Sequence, residues 1–234
     1  MSNLDEILAR YQVNDDTMID WSPSAGGFIP LGGLGGTRRM TETEGEQLDS
    51  LTFSRGFYGL SVFKDIAEEA FRVSAQRVPP PLAKDAPGHV IAAITLLPLG
   101  DQAGALKAWP TNDGHTDAFR HCCWNAMLAV EFGVNWTQSF TNAHEGIPGN
   151  FAVREAMDLY NNEVGRKIAA ANSSATRPQL ADKVLEALNR GELVVVDKDG
   201  RLAWSNTVAR GDHGVAPVSV LPGAIAAAVA RPTS

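Results

Sequence analysis

Three of the five histidines in this 234-residue chain, His115, His121 and His144, stand within 30 residues of one another, among Asp117, Glu145, Asp158, Asn161 and Asn162. Imidazoles interleaved with carboxylates are the groups that hold a divalent ion or move protons near neutral pH. Spacing matters more than number. Asp117 and His121 are four residues apart, so in a helix they share one face. Trp124 and Asn125 continue that face, while Phe119, Cys122, Ala126 and Val130 fall on a different side and can supply core contacts. Further on, Met157, Tyr160, Val164 and Ile168 make an apolar helical stripe, with Arg154, Asp158, Asn161, Asn162 and Gly165 as a polar stripe beside it. Asparagine is a poor residue for a helix interior, so that stripe points to inward hydrogen bonding. His144 and Glu145 precede Gly146, Pro148 and Gly149. That loop ends a helix and frees Glu145 to point into a cleft.

Packed together, three such helices build a polar site inside a bundle, as bundle metal sites are built. The chemistry expected is metal-assisted hydrolysis, with His121, His144 and Asp158 holding a divalent ion that activates water. The catalytic group is then His121, His144, Glu145 and Asp158, with Glu145 or His144 as general base or acid. His115, Asp117, Arg120, Arg154, Asn161 and Asn162 contact substrate or orient the first group, and Arg120 or Arg154 clamps an anionic substrate group. Plainer readings exist for the same residues. A His–Asp pair at this spacing is often a helix-surface ion pair. Paired asparagines can satisfy buried backbone groups. Trp109, Trp124 and Trp136 read as core or rim aromatics, and Cys122 and Cys123 as inert core thiols. His89 and His213 receive no role.

The elements that must position these residues are helices. The fold class expected is mainly α, a helical bundle with one small C-terminal β-hairpin. Apolar spacing predicts helices near 90–108, 115–131, 136–145, 151–171 and 180–189, the last stopped by Gly191. The hairpin runs from Glu192–Val196 through an Asp199-Gly200 turn to Arg201–Trp204. Upstream, residues 1–20 hold a short amphipathic helix. Thr41–Ala75 is helical, with Val62, Ile66, Ala70 and Val73 on its apolar side, and Val78–Pro81 is a polyproline hinge. The glycine-rich stretch 21–37 reads as a connector, so residues 21–40 are expected to lack regular structure unless a partner orders them. The organisation expected is an acidic Gly/Pro-rich N-terminal region with helices (1–87), a helical core domain with the hairpin (88–214) and an apolar Ala/Pro tail (215–234).

Composition narrows the function. The net charge is −7, and the first 50 residues hold nine acids against three bases. An acidic chain without a basic block is a poor binder of phosphate backbones, so no nucleic acid is expected as a partner. The only cysteines are neighbours and cannot pair easily with each other. The polar, acidic start MSNLDEILARYQ lacks the pattern of a signal peptide, so synthesis in the cytoplasm and delivery without a Sec signal are expected. The apolar run His89–Leu99 is too short to span a membrane and carries Pro98, and the tail is broken by Pro217 and Pro222.

The run His115-Thr-Asp117-Ala-Phe-Arg120-His121-Cys-Cys-Trp124, then Ala143-His144-Glu145, then Met157-Asp158-Leu-Tyr-Asn161-Asn162-Glu-Val-Gly165-Arg166, resembles a poorly characterised bacterial domain. That domain has the pattern H-x-x-D-A-x-R-H-x-x-W, A-H-E and M-D-x-x-N-N-x-x-G. His115 and Asp117 stand one residue closer here. The resemblance covers about residues 111–170 and implies a secreted, wall-associated or toxin-like protein. It suggests an antibacterial-type effector with a phospholipid or peptidoglycan substrate, a cognate immunity protein and a secretion-system component as partners. Two other classes fit the sequence: a non-enzymatic toxin acting on membranes through 89–106 and the tail, and a structural or adaptor domain whose polar stripe locks the bundle.

Overall fold

A computed structural model describes residues 3–25, 29, 30 and 37–216. Among them the chain forms eight α-helices and three two-stranded antiparallel sheets, a mainly α fold. The helices are α1 (Leu4–Arg10), α2 (Glu42–Arg77), α3 (Gly88–Thr95), α4 (Leu99–Ala108), α5 (His115–Phe132), α6 (Val134–Glu145), α7 (Ala152–Ala171) and α8 (Arg177–Arg190). The strands are β1 (Met18–Trp21), β2 (Ser24–Ala25), β3 (Ile29–Pro30), β4 (Arg38–Thr41), β5 (Val194–Val196) and β6 (Leu202–Trp204).

Caps explain several of these boundaries. Asn3 with Glu6, Thr41 with Glu44 and Thr176 with Gln179 each form a reciprocal capping box at the start of α1, α2 and α8. Gly191 closes α8 at φ 77°, a left-handed conformation that costs glycine nothing. α2 is two helical pieces joined at Gly56, whose φ of 64° and ψ of −164° break the hydrogen-bond ladder.

α5 is the centre of the molecule, with α2, α6, α7 and α8 packed around it. Ala118, Phe119, Cys122, Cys123 and Ala126 on it are fully buried. Ile7 of α1, Ile66 and Val73 of α2, Met157 of α7, Val184 of α8 and Val194–Val196 of β5 complete the same core. The N-terminal helices thus share one core with the rest. α5 packs most extensively on α7. A side chain at Gly165 would run into the Cys122 carbonyl oxygen, so a hydrogen atom at that position sets the interhelix distance.

The hairpin forms as expected, pairing Val194 with Trp204, Val195 with Ala203 and Val196 with Leu202. Two expectations need correction. The helix expected over 90–108 is two helices, because Pro98 has no amide proton to continue α3 and caps α4 instead. Residues 21–40 are not wholly irregular: Trp21 pairs with Arg38 and Asp20 with Arg39, and β2 pairs with β3. The Trp21 ring, buried beside Leu48 and Phe140, ties the β1–β4 ribbon down, while the glycines of the stretch lie outside the described residues. The expected tail arm lies almost wholly outside the described residues.

Candidate metal centre

Three helices carry a polar residue at every fourth position on the face turned into the bundle. α5 contributes Asp117, His121 and Asn125; α6 contributes Thr137, Thr141 and Glu145; α7 contributes Asp158, Asn162 and Arg166. All nine are buried. Together they form a polar column through an otherwise apolar core.

At the upper end His121 lies among three carboxylates. Its Nε2 is 3.4 Å from Asp117 Oδ1 and 3.7 Å from Asp158 Oδ1, and its Nδ1 is 3.6 Å from Glu145 Oε1. Asp117 is also paired with Arg120. Burial works against charge on His121, yet Asp158, Asp117 and Glu145 outweigh it and push the imidazole up to about 9. Burial raises the Asp158 carboxyl well above the usual range, and the neighbouring Glu145 and Asp117 add to that rise. On Asp117 burial acts the same way, but the Arg120 and His121 charges prevail and hold it well below the usual range.

The side chains that can share one ion are Asp117, His121 and Asp158, each with a ligand atom within 4.8 Å of the others. Donors bound to one ion at about 2.1 Å lie at most about 4.2 Å apart, so a small inward movement suffices. The donor set fits a divalent cation on a second count. His121 Nδ1, Glu145 Oε1 and Asp158 Oδ1 are buried with no hydrogen-bond partner. Carboxylate oxygens in that state are costly unless a cation or a proton meets them.

This candidate group differs from the expected ligands in one member. His144 does not join His121 and Asp158. Adjacent residues on a helix point about 100° apart, so when Glu145 faces α5, His144 faces α2. There its Nδ1 sits 2.8 Å from Glu44 Oε1, and its ring packs edge-on against Trp124. Burial lowers the His144 pKa, but the Glu44 hydrogen bond and the Glu145 charge reverse that and raise it. Asp117, expected to contact substrate or orient its neighbours, offers the third potential ligand atom.

Other expected residues lie beside the trio or away from it. Arg154 forks onto Asp113, Nε to Oδ1 at 2.7 Å and Nη2 to Oδ2 at 2.8 Å. Asn161 faces the hairpin: its Nδ2 donates to the Val194 carbonyl, and its Oδ1 accepts from the Val194 amide. Asn162 Oδ1 accepts from Asn125 Nδ2 one turn below the trio. His115 Nε2 contacts the Ser205 carbonyl at 2.8 Å, and burial lowers its pKa, so it anchors the hairpin as a neutral ring. His213, given no role, stacks on Trp109 with ring centroids 4.8 Å apart.

Sequence reasoning missed Glu44 and Asp113. Glu44 had a signal, being the third residue of an obvious capping box. Asp113 had a weaker one, an Asp-Gly pair just before a helix. It is the only non-glycine residue with positive φ, 65°, among the described residues.

Residues 102–192 match the family model of a domain of unknown function (DUF6973). All the residues of the polar column fall inside that match. No curated protein and no solved structure matches the chain. Among the described residues, no helix is long and apolar enough to cross a membrane.

Proposed function

We propose that the protein is a metal-dependent hydrolase, with Asp117, His121 and Asp158 as ligands and Glu145 as the carboxylate that orients His121. The observation that carries this reading is the meeting of two buried carboxylate oxygens without a hydrogen bond, on Asp158 and Glu145, at one imidazole. A divalent ion bound there would supply Lewis acidity to a substrate oxygen or to water. Mixed imidazole and carboxylate donors suit Zn²⁺ or Mn²⁺. Arg120 keeps Asp117 ionised, as a ligand must be. Glu145 faces His121 Nδ1, on the opposite side of the ring from the two aspartates, where its carboxylate would accept the Nδ1 proton and keep Nε2 turned to the ion.

The substrate class is a component of the bacterial envelope, and phospholipid is the better supported of the two. Arg120 links the centre to the surface, since its guanidinium lies 4.9 Å over the largely exposed Phe71 ring. A cation beside an exposed aromatic suits a molecule that joins a phosphate to a hydrocarbon chain. The bacterial resemblance supports a role as a secreted effector, with a cognate immunity protein and a secretion-system component as partners.

The test is direct. The purified full chain is titrated with Mn²⁺ or Zn²⁺ by calorimetry, then incubated with phosphatidylglycerol vesicles and, separately, with peptidoglycan sacculi. The expected result is one-site binding, lost in Asp158→Asn, together with metal-dependent release of lysolipid or headgroup. Absence of metal binding in the folded wild-type chain sinks the reading.

A further inference from the structure

Arg154 stands one helical turn before Asp158 on the same face of α7, the spacing at which an arginine and an aspartate pair. Yet among the described residues the only ion pair of Arg154 is with Asp113. Asp158 Oδ1, buried four residues away, has no hydrogen-bond partner. We infer that Asp113 is a positioning residue: by gripping Arg154 it keeps the guanidinium off Asp158 and leaves that carboxylate open to a divalent cation. The inference rests on the metal-binding reading of the trio.

The geometry around Asp113 supports this role. Its backbone is fixed from both sides, because the Asp113 amide donates to Asp117 Oδ2 at 2.7 Å and the Val196 amide donates to the Asp113 carbonyl at 2.9 Å. These bonds hold it in the left-handed conformation, which an unrestrained aspartate seldom keeps. The carboxylate is fixed as well. Oδ1 and Oδ2 take the two prongs of Arg154, and Oδ2 also accepts the Ala216 amide at 2.9 Å. A bidentate pair holds a guanidinium in one plane, which a single contact does not. Asp113 thereby satisfies both prongs of Arg154. Without Asp113, a largely buried guanidinium loses its partner, and Asp158 is the carboxylate within one turn of it.

The experiment is Mn²⁺ binding to the full chain, followed by the loss of the free-ion electron paramagnetic resonance signal, in wild type, Asp113→Asn, Arg154→Met and the double variant. Circular dichroism checks the fold of each. Asp113→Asn is expected to weaken binding roughly 10–100-fold, the range for residues that orient metal ligands. Arg154→Met in that background is expected to restore binding to within about threefold of wild type, a rescue that a merely structural role would not produce. Wild-type affinity in Asp113→Asn overturns the inference and leaves the metal reading standing. Weak binding in a folded double variant overturns it too, since the effect would then not pass through Arg154. No binding in wild type overturns both. If Asp113→Asn does not fold, Arg154→Lys carries the test: a lysine cannot fork onto Asp113 but can reach Asp158, so it should bind Mn²⁺ more weakly than Arg154→Met. Equal binding by those two overturns the inference.

Discussion

The two ends of the polar column are built from the same three helices at the same four-residue spacing, but their atoms are matched differently. At the lower end, Asn125 Oδ1 accepts from Arg166 Nη1 at 2.9 Å and lies 3.0 Å from the Thr141 hydroxyl, while Asn125 Nδ2 donates to Asn162 and to the His121 carbonyl. Donors there meet acceptors, and Asn162 Nδ2 is the exception. At the upper end, three carboxylates crowd one imidazole, and two buried acceptor oxygens lie 3.6 and 3.7 Å from its nitrogens without a hydrogen bond. Burial of polar groups is therefore not in itself the mark of a site. A surplus of one kind, several carboxylates sharing one ring, is what calls for further positive charge.

The largest expected effect tests the upper end. Glu145→Gln keeps the shape but removes the carboxylate that orients His121, so metal affinity should fall by about 10–100-fold with the fold retained. Undiminished metal affinity would break the contrast. Next comes pH. The His121 pKa is raised from its ordinary 6.5 to about 9 in the folded protein. Its contribution to stability is therefore fully present below pH 6.5 and is lost as pH rises through 9. Urea denaturation of the metal-free chain should show a drop of a few kcal/mol between those values. Saturating Zn²⁺, which needs a neutral imidazole, should flatten the slope. A flat profile without metal would mean that the carboxylates do not bear on His121.

At the lower end, Asn125→Ala strips partners from Arg166, Thr141 and Asn162. It should cost about 1–3 kcal/mol of stability by urea titration while leaving metal stoichiometry unchanged. Loss of metal binding with intact stability would reverse the roles of the two ends. The smallest effect is a control far from the column: Leu99, 89% exposed on α4, is expected to tolerate Leu99→Ser within about 0.5 kcal/mol.

Much of this was legible in the sequence because it is local. The periods of α5, α6 and α7, the Gly191 stop and the Asp199-Gly200 hairpin follow from neighbours a few residues away. So does the sharing of one face by Asp117 and His121. The choice between His144 and Glu145 was not legible, because it depends on the rotation of α6 about its own axis. That rotation is set by packing against α5 and by Glu44, a hundred residues upstream of His144. The Asp113–Arg154 grip joins a turn to a helix 41 residues on and closes on Ala216, so no single stretch records it. The β1–β4 ribbon was hidden for a different reason: Trp21 ties it down only once Leu48 and Phe140, distant in the chain, are in place.

Gly165 gives this centre a calibre. With only a hydrogen atom between α7 and the Cys122 carbonyl, the helices bearing His121 and Asp158 approach closely at this point. Ions differ in the bore they need: magnesium bonds to oxygen at about 2.0–2.1 Å, and calcium at about 2.3–2.6 Å. A single methyl group at position 165 would act as a shim between the walls. Its signature would be a change in which ion is preferred, with the larger ion gaining on the smaller, even though residue 165 never touches either one.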